Sequence, residues 1–304
     1  MSVTMAQTDR RVDSAQELES VTHTMKGMAA VSVRHFERAA DAMGIYESTL
    51  DRGLQVVARH LDADDVAWER HSRFPPRRSA VIVFGSNQGL CGPVNRQVAR
   101  HAAEVVAACP TSVFEVVAVG FRLSSELELT GVPPDVVLEL PNSVDGISPR
   151  AAELLVRIDR WRRADPNPAV HLVFPSFRGR HAGFEPADRP LLPFDTARLR
   201  ELVGQPWPGR SLPTYTVGRT ELLATLVRQS VFAGLTRTFA QAMASVAASR
   251  LVAMDNAQRD VEERLAELHR ERHRLREAAV TGEILEVISG CQATRECSAG
   301  GRRL

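Results

Sequence analysis

The placement of proline constrains this chain more than any other feature of its sequence. No proline occurs from about Val12 to Leu61, and none occurs from about Gly218 to Gly290, although the 304 residues contain 17. A proline inside a helix removes a backbone hydrogen bond and collides with the preceding turn, so long stretches without proline permit long helices. The sequence therefore predicts a long helix near each end and a different organisation between them.

Apolar residues in both stretches recur at steps of three and four, which is the spacing of one helix face. In the first stretch they are Leu18, Val21, Met25, Met28, Phe36, Ala39, Met43, Tyr46, Leu50, Leu54, Val57 and Leu61. In the second they include Leu222, Leu226, Phe232, Leu235, Phe239, Met243, Val246, Leu251, Met254, Val261, Leu265, Leu268 and Leu275. About 70 helical residues would span roughly 105 Å, more than a compact globule of this chain length allows. We therefore expect helices over 12–65 and 216–290 that pair as an antiparallel coiled coil.

The middle of the chain alternates strand and helix patterns. Short apolar runs at 79–84, 114–120, 135–140 and 169–174 are typical of buried strands, and helical patterns lie between them. Pro93 stands at a predicted helix start, and Ser148 followed by Pro149 is typical of another. Alternating strands and helices predict a mainly parallel, doubly wound sheet, here over 76–205. Residues 175–215 are rich in proline and glycine, so we expect loops there.

Composition and charge exclude several classes of protein. The net charge of +1 is spread evenly, which argues against a dedicated nucleic-acid binder or an anchor for anionic lipid. The four cysteines form no CxxC pair, so neither a zinc site nor a disulfide framework is indicated. The N-terminus has no apolar leader, and no run of about 18 apolar residues exists to cross a bilayer. A reduced cytoplasmic setting is the expectation.

One glycine-rich segment, FGSNQGLCGPVN at 84–95, lies where a phosphate-binding loop would lie, after a strand and before a helix. It lacks the Gly-Lys-Ser/Thr that clamps a triphosphate, and its spacing is not GxGxxG. We favour a tight turn that needs glycine backbone angles, with nucleotide binding as the alternative. Cys91 is expected to be a buried thiol, and His269 and His273 to be surface residues. No catalytic set assembles, so no catalytic, cofactor or metal residue is predicted.

Four segments together resemble one known family. They are MKGMAAVSV at 25–33, SNQGLCGPVN at 86–95, SRLVAMDNAQRD at 249–260 and LREAAVTGEILEVISG at 275–290. In this order they resemble the gamma subunit of F-type ATP synthases, over about 14–293. The resemblance implies an α/β fold with two long helices in an antiparallel coiled coil and an inserted Rossmann-like domain that binds no nucleotide. It also implies the central-stalk rotor of a rotary ATP synthase, which couples rotation of an ion-driven ring to ATP synthesis or hydrolysis without being an enzyme itself.

The resemblance assigns roles to individual positions. Lys26, Met28 and Val31 match a first-helix segment near the levers of the nucleotide-binding subunits, and Arg276 and Thr281 match positions that contact their catch loops. Glu277 replaces the usual Gln, Val246 the usual Glu, and Asn87-Gln88 the usual Asp-Arg, which suggests a divergent bacterial branch. The residues expected to contact partners are Lys26, Met28, Val31, Arg250, Met254, Asp255, Asn256, Arg276, Glu277, Thr281 and Glu283.

The implied partners are the alpha and beta subunits of the catalytic hexamer, the epsilon subunit and the membrane c-ring, with no nucleic acid and no insertion into the membrane. The implied location is the cytoplasmic face of the bacterial inner membrane. Residues 294–304 hold little apolar surface, so we expect a disordered tail. Two alternatives stay open: a nucleotide-binding α/β protein with helical arms, and a coiled-coil scaffold unrelated to rotary ATPases.

Overall fold

The computed structural model describes residues 4–59, 76–109, 111–165, 167–177, 184–194, 196–207, 209–211 and 213–300, with the backbone alone at 196–197 and 291–300. The chain divides into two units. One consists of Met1–Lys26 with Met254–Leu304, and the other is Gly27–Ala253.

The described elements alternate in the middle of the chain and are long at its ends. In chain order they are α1 (Met5–Ala58), β1 (Arg78–Phe84), α2 (Val94–Ala108), β2 (Ser112–Val119), α3 (Phe121–Leu129), β3 (Val136–Leu138), a short 3-10 turn (Val144–Gly146), α4 (Ile147–Ala164), β4 (Ala169–Phe177), β5 (Phe184–Leu192), α5 (Thr196–Gly204) and α6 (Arg219–Gly300). The expectation of a long helix at each end is confirmed. No described helix has a segment long and apolar enough to cross a membrane.

The ends of the two long helices differ from the sequence prediction. Helix α1 begins at Met5 rather than at 12, because the residues before Val12 contain good helix formers even though they lack the apolar stripe. Helix α6 continues to Gly300, through most of the segment 294–304 that we expected to be disordered. No proline interrupts that segment, so helix propensity carries the backbone past the last apolar residues. Residues 60–65 and 301–304 lie outside the described residues.

In the first unit the two long helices run antiparallel. Val12 and Ala15 of α1 form one apolar cluster with Leu265 and Leu268 of α6. Further along α1, Lys26 forms an ion pair with Asp255 of α6. As residue numbers rise on one helix they fall on the other, which is the register of an antiparallel pair.

The same direction holds within the second unit. Glu47 of α1 pairs with Arg237 of α6. Toward the end of α1, Leu54 and Val57 join a cluster with Leu223 and Val227. The helices of this unit are therefore paired through an apolar seam flanked by an ion pair.

A five-stranded sheet lies between the helices in sequence, with strand order β3-β2-β1-β4-β5. Strand β1 pairs in parallel with β2 and with β4, and β2 pairs in parallel with β3. Strand β5 pairs antiparallel with β4. The predicted doubly wound, mainly parallel sheet is confirmed, with one antiparallel strand at its edge.

Strand β5 and helix α5 correct the expectation that 175–215 consists of loops. Strand β5 contains Pro186 and Pro190 and has a neighbour on one side in the described sheet. An edge strand tolerates proline because one row of its backbone N–H groups is not needed for pairing. The strand is anchored instead by Arg189, which donates to the Gly234 carbonyl oxygen and the Thr238 hydroxyl of α6.

The two faces of the sheet pack against different helices. Ala80, Ile82 and Phe84 of β1 belong to a core that also contains residues of α1, α4 and α6. The intervening Val81 and Val83 belong to a second core, with residues of α2 and α3. The ring of Phe84 meets the Phe239 ring of α6 edge to face at 4.9 Å between centroids. Because successive side chains of β1 point to opposite faces of the sheet, one face packs against the long helices of this unit and the other against α2 and α3.

Candidate partner-contact surface

Lys26, the only lysine in the sequence, lies at the centre of a polar cluster between the two long helices of the first unit. Its ammonium Nζ is 2.6 Å from Asp255 Oδ1 and donates to Gln258 Oε1 at 3.1 Å. Arg259 donates to the other carboxylate oxygen, Asp255 Oδ2, at 2.6 Å. The hydrogen bond from Lys26, aided by the charge of Arg259, holds the pKa of Asp255 below its ordinary value.

Met28 and Val31, expected from the resemblance to face partner subunits, are exposed on α1. Met28 is 67% exposed and Val31 is 57% exposed. Apolar side chains at this exposure gain nothing from the fold of the chain itself, and burial against a partner would remove their surface from water. The structure therefore leaves both side chains available for contact.

The expected contact residues near residue 250 occupy different environments. Asn256 is exposed, and Asp255 is engaged by Lys26 and Arg259 as described. Met254 is 4% exposed, so its side chain packs inside this chain and is not available to a partner. Arg250 is partly buried and lines a cavity against the sheet. The expectation of a partner contact, which the resemblance implied, is therefore corrected for Met254, whose burial agrees with its place on the predicted apolar stripe.

The expected residues of the last segment are all exposed on α6. Arg276, Glu277, Thr281 and Glu283 each lie in the exposed class. Thr281 donates its hydroxyl proton to the Glu277 carbonyl oxygen at 2.8 Å, and Glu277 Oε1 is 3.2 Å from His273 Nδ1. The same segment carries five exposed large apolar side chains, namely Val280, Ile284, Leu285, Val287 and Ile288. Exposed apolar side chains that are grouped in this way are typical of surfaces that contact other proteins.

The turn at 85–95 uses its polar groups internally. The side chain of Asn95 accepts from the Ser86 backbone N–H at 2.9 Å and donates to the Ser86 hydroxyl at 2.8 Å. Gly92 has φ of +60°, and a Cβ on Gly85 would lie 2.6 Å from Leu123 Cβ. These two glycines fit the predicted tight turn, because one needs the left-handed conformation and the other needs the space.

The same turn is fixed to α6. Ser249 donates its hydroxyl to the Cys91 carbonyl oxygen at 2.6 Å, and Cys91 itself is 2% exposed. The expectation of a buried Cys91 thiol is confirmed. Within the described residues, no group of three or more His, Cys, Asp or Glu side chains is placed to hold a metal ion.

Sequence reasoning missed three polar residues that organise these sites. Gln258 and Arg259 complete the cluster around Lys26, and Ser249 fastens the turn to α6. All three lie in the segment SRLVAMDNAQRD that carried the resemblance, and Arg259 is four residues after Asp255, the spacing of a helical ion pair. Their contacts with distant parts of the chain had no signal in the sequence.

Comparisons with known proteins cover almost the whole chain. A family model described as ATP synthase matches residues 4–294. The ATP synthase gamma chain of Phenylobacterium zucineum is 26% identical over 288 residues, which are 93% of this chain and 97% of that protein. The gamma chain of Desulforamulus reducens is 27% identical over 287 residues, 93% of this chain and 96% of that protein. The chain belongs to the ATP synthase gamma family. The predicted resemblance is confirmed, and the low identities fit a divergent member.

Solved structures carry the same fold as this gamma-family chain. A chain from the cryo-EM structure of the Euglena gracilis mitochondrial ATP synthase matches with a TM-score of 0.63 and 14% identity, over 99% of this chain and 96% of that one. A chain from the central stalk and c-ring structure of the Tetrahymena thermophila mitochondrial ATP synthase matches with a TM-score of 0.54 and 20% identity, over 78% of this chain and 99% of that one. At these identities the comparison supports the fold.

Proposed function

We propose that this chain is the central-stalk rotor subunit of an F-type ATP synthase, coupling rotation of an ion-driven ring to ATP synthesis or hydrolysis in a surrounding hexamer. The observation that carries the proposal is membership of the gamma family across residues 4–294 together with two long antiparallel helices. Paired helices resist bending and twisting better than one helix does, which is what transmission of torque requires. The pairing at Val12 with Leu268 and at Lys26 with Asp255 supplies that connection in the first unit.

The mechanism needs an asymmetric element inside a ring of similar catalytic subunits. A single chain touches each subunit with a different part of its surface, so it favours a different conformation in each one. Rotation then shifts the population of open and closed states in sequence around the ring. The energy for each shift comes from contacts that differ with the angle of the rotor.

The exposed residues of α1 and α6 are the proposed contacts with that ring. Met28 and Val31 supply apolar surface that faces the alpha and beta subunits. Polar contacts to the loops of these subunits come from Arg276, Glu277, Thr281 and Glu283 of α6. Asn256 and the ion pair of Lys26 with Asp255 are proposed as further polar contacts. The exposed apolar side chains from Val280 to Ile288 fit an apolar bearing formed by the same subunits. Arg250 and Met254 are left out of this surface because of where their side chains lie.

The chain is proposed to carry no active site of its own. The turn at 85–95 has the place of a phosphate loop but spends the Ser86 backbone N–H on Asn95. The epsilon subunit and the membrane c-ring are the further proposed partners, and the proposed location is the cytoplasmic face of a bacterial inner membrane, as a peripheral subunit. The catalytic residues then belong to the surrounding subunits.

Coexpression with the alpha and beta subunits of the same organism tests the proposal. We expect a single copy of this chain to copurify with the hexamer and to increase its ATP hydrolysis. A truncated chain that ends at Leu275 removes the exposed segment and is expected to assemble less well. A chain that stays separate from the hexamer under conditions in which alpha and beta associate would support an unrelated coiled-coil scaffold instead.

A further inference from the structure

A small cavity lies at the carboxyl edge of the sheet in the second unit. Its volume is about 100 Å³. The turn after β1 contributes Asn87 and Gln88, the turn after β3 contributes Asn142, and α6 contributes Val246 and Arg250. The carboxyl ends of strands in open α/β sheets are where such folds bind their ligands.

Arg250 gives this cavity its charge. Its Nε atom is buried and has no hydrogen-bond acceptor among the described residues. The residues that line the cavity include no aspartate and no glutamate. A buried guanidinium N–H without an acceptor is unfavourable, so an acceptor that enters the cavity would gain a hydrogen bond that the described residues do not provide.

Two hydrogen bonds between a side chain and the backbone hold the walls of the cavity in place. The Asn87 side chain donates to the Leu140 carbonyl oxygen at 2.7 Å and accepts from the Leu140 N–H at 2.9 Å. This pair of bonds ties the turn after β1 to the segment after β3. Gln88 lines the cavity and is also exposed to solvent. The site is therefore preformed apart from its missing acceptor.

We propose that the cavity binds one small oxyanion, of the size and chemistry of phosphate or a short carboxylate. A volume of about 100 Å³ is several times the ~10–15 Å³ that a cavity needs to hold one water, so a small oxyanion can enter. Ligand pockets for larger molecules begin at about 300 Å³, which excludes a nucleotide. The planar guanidinium of Arg250 presents parallel N–H groups that match two oxygens of a carboxylate or phosphate.

A bound oxyanion joins α6 to the two turns of the sheet. Because a ligand that binds only the folded state stabilises it by RT ln(1 + L/Kd), where L is the free ligand concentration, the anion raises the melting temperature of the chain as its concentration increases. The anion thus strengthens the attachment of the sheet to the helix that carries torque in the proposed function. Binding itself requires only this chain, so its failure is distinguishable from failure of the rotor assignment.

Titration of the purified full chain with inorganic phosphate tests the site. We expect saturable binding at one site by calorimetry and a melting temperature that rises with phosphate but not with chloride at equal ionic strength. Sulfate and acetate are expected to compete, and the one that competes better identifies the preferred oxyanion. Arg250→Gln should weaken binding at least tenfold, whereas Arg264→Gln, an exposed arginine on the same helix, should leave it unchanged.

A second variant keeps the test valid if Arg250→Gln folds poorly. Val246 lines the cavity one helical turn before Arg250, so Val246→Glu places a carboxylate within reach of the guanidinium. We expect this variant to lose phosphate binding and to melt at a temperature independent of phosphate, while Val246→Gln keeps a phosphate response. Unsaturable binding, or equal binding by wild type and Arg250→Gln, would show an adventitious ion only and overturn the proposal. An effect of Arg250→Gln on assembly with the hexamer, without any effect on phosphate binding, would also overturn it in favour of a partner carboxylate.

Discussion

At the scale of single residues, the most informative contact joins positions far apart in the sequence. Lys26 and Asp255 were both expected on the contact surface, through the resemblance, yet as separate residues. In the structure they are each other's partners, and Gln258 and Arg259 complete the cluster. A sequence shows which residues carry charge, but a pair more than 200 positions apart has no local pattern. The burial of Met254 agrees with its place on the predicted apolar stripe, whereas the resemblance had assigned it to a partner.

The Lys26 cluster predicts a pH-dependent contribution to stability. Since the pKa of Asp255 is lower in the folded chain than in the unfolded chain, its pair with Lys26 stabilises the fold above the unfolded pKa of about 3.9 and is lost as pH falls through the folded value. We expect Lys26→Met to raise the pKa of Asp255, measured by NMR titration of its carboxyl carbon. The same titration in Arg264→Gln is the control and should match wild type. An unchanged pKa in Lys26→Met would show that the ion pair is absent in solution.

Met28 predicts a defect in coupling. Because this side chain is 67% exposed on α1, Met28→Lys leaves the fold of the chain intact but introduces a cation where apolar contact with the hexamer is proposed. We expect ions pumped per ATP hydrolysed to fall severalfold while hydrolysis changes less, as measured in vesicles that contain the assembled complex.

Ile45→Lys provides the matched control, since Ile45 is 71% exposed on the same helix and was not predicted to contact partners. It should leave coupling close to wild type. Normal coupling in Met28→Lys would remove Met28 from the contact surface.

At the scale of elements, the positions of proline and the spacing of apolar residues predicted most of the helices and strands. They placed both long helices, and the strand runs at 79–84, 114–120 and 169–174 correspond to β1, β2 and β4. They failed at β5, where Pro186 and Pro190 gave the composition of a loop. The strand is stable because it needs one pairing edge and because Arg189 ties it to α6, and neither cause is local in sequence. The observed helices extend beyond the predicted ends, to Met5 and Gly300, because residues with high helix propensity continue where the apolar pattern stops.

The contact between the turn at 85–95 and α6 predicts a loss of stability on removing one hydroxyl. Ser249→Ala leaves the buried Cys91 carbonyl without its side-chain donor. We expect the free energy of unfolding to fall by about 1–3 kcal/mol, the cost of an unsatisfied buried polar group. Urea denaturation followed by circular dichroism measures the change.

Ser245→Ala is the matched control for that measurement. Ser245 is also buried on α6, but its hydroxyl donates to the Gln241 carbonyl oxygen of its own helix. The backbone of that helix still satisfies the carbonyl after the substitution, so the effect should be smaller. Equal losses in the two variants would mean that the Cys91 contact adds nothing beyond ordinary packing.

At the scale of the whole molecule, the fold agrees with membership of the gamma family. Long antiparallel helices occur in both units, and the sheet is seated on the helices of its own unit. The exposed apolar side chains of α1 and α6 form the surface proposed to contact other proteins. Four short segments were enough to predict the family, whereas the choice of contact residues required the exposed fraction of each side chain.

The proposal that the chain carries no active site predicts no turnover by the chain alone. The turn at 85–95 uses the N–H and hydroxyl of Ser86 for contacts within the turn, so these two donors are not available to a triphosphate. We expect no phosphate release from ATP by the purified chain, with the assembled complex as the positive control. Turnover that scales with the concentration of the purified chain and persists through further purification would contradict the prediction.

Direct observation of rotation tests the central claim most sharply. The hexamer, assembled with this chain, is fixed to a surface through its beta subunits, and a bead is attached to an exposed position such as Leu129, at the end of helix α3, after substitution to cysteine. The account predicts stepwise rotation of the bead in one direction when ATP is added, and none with a nonhydrolysable analogue. A bead that remains stationary or moves without direction, while the same complex hydrolyses ATP, would contradict the assignment of this chain as the rotor.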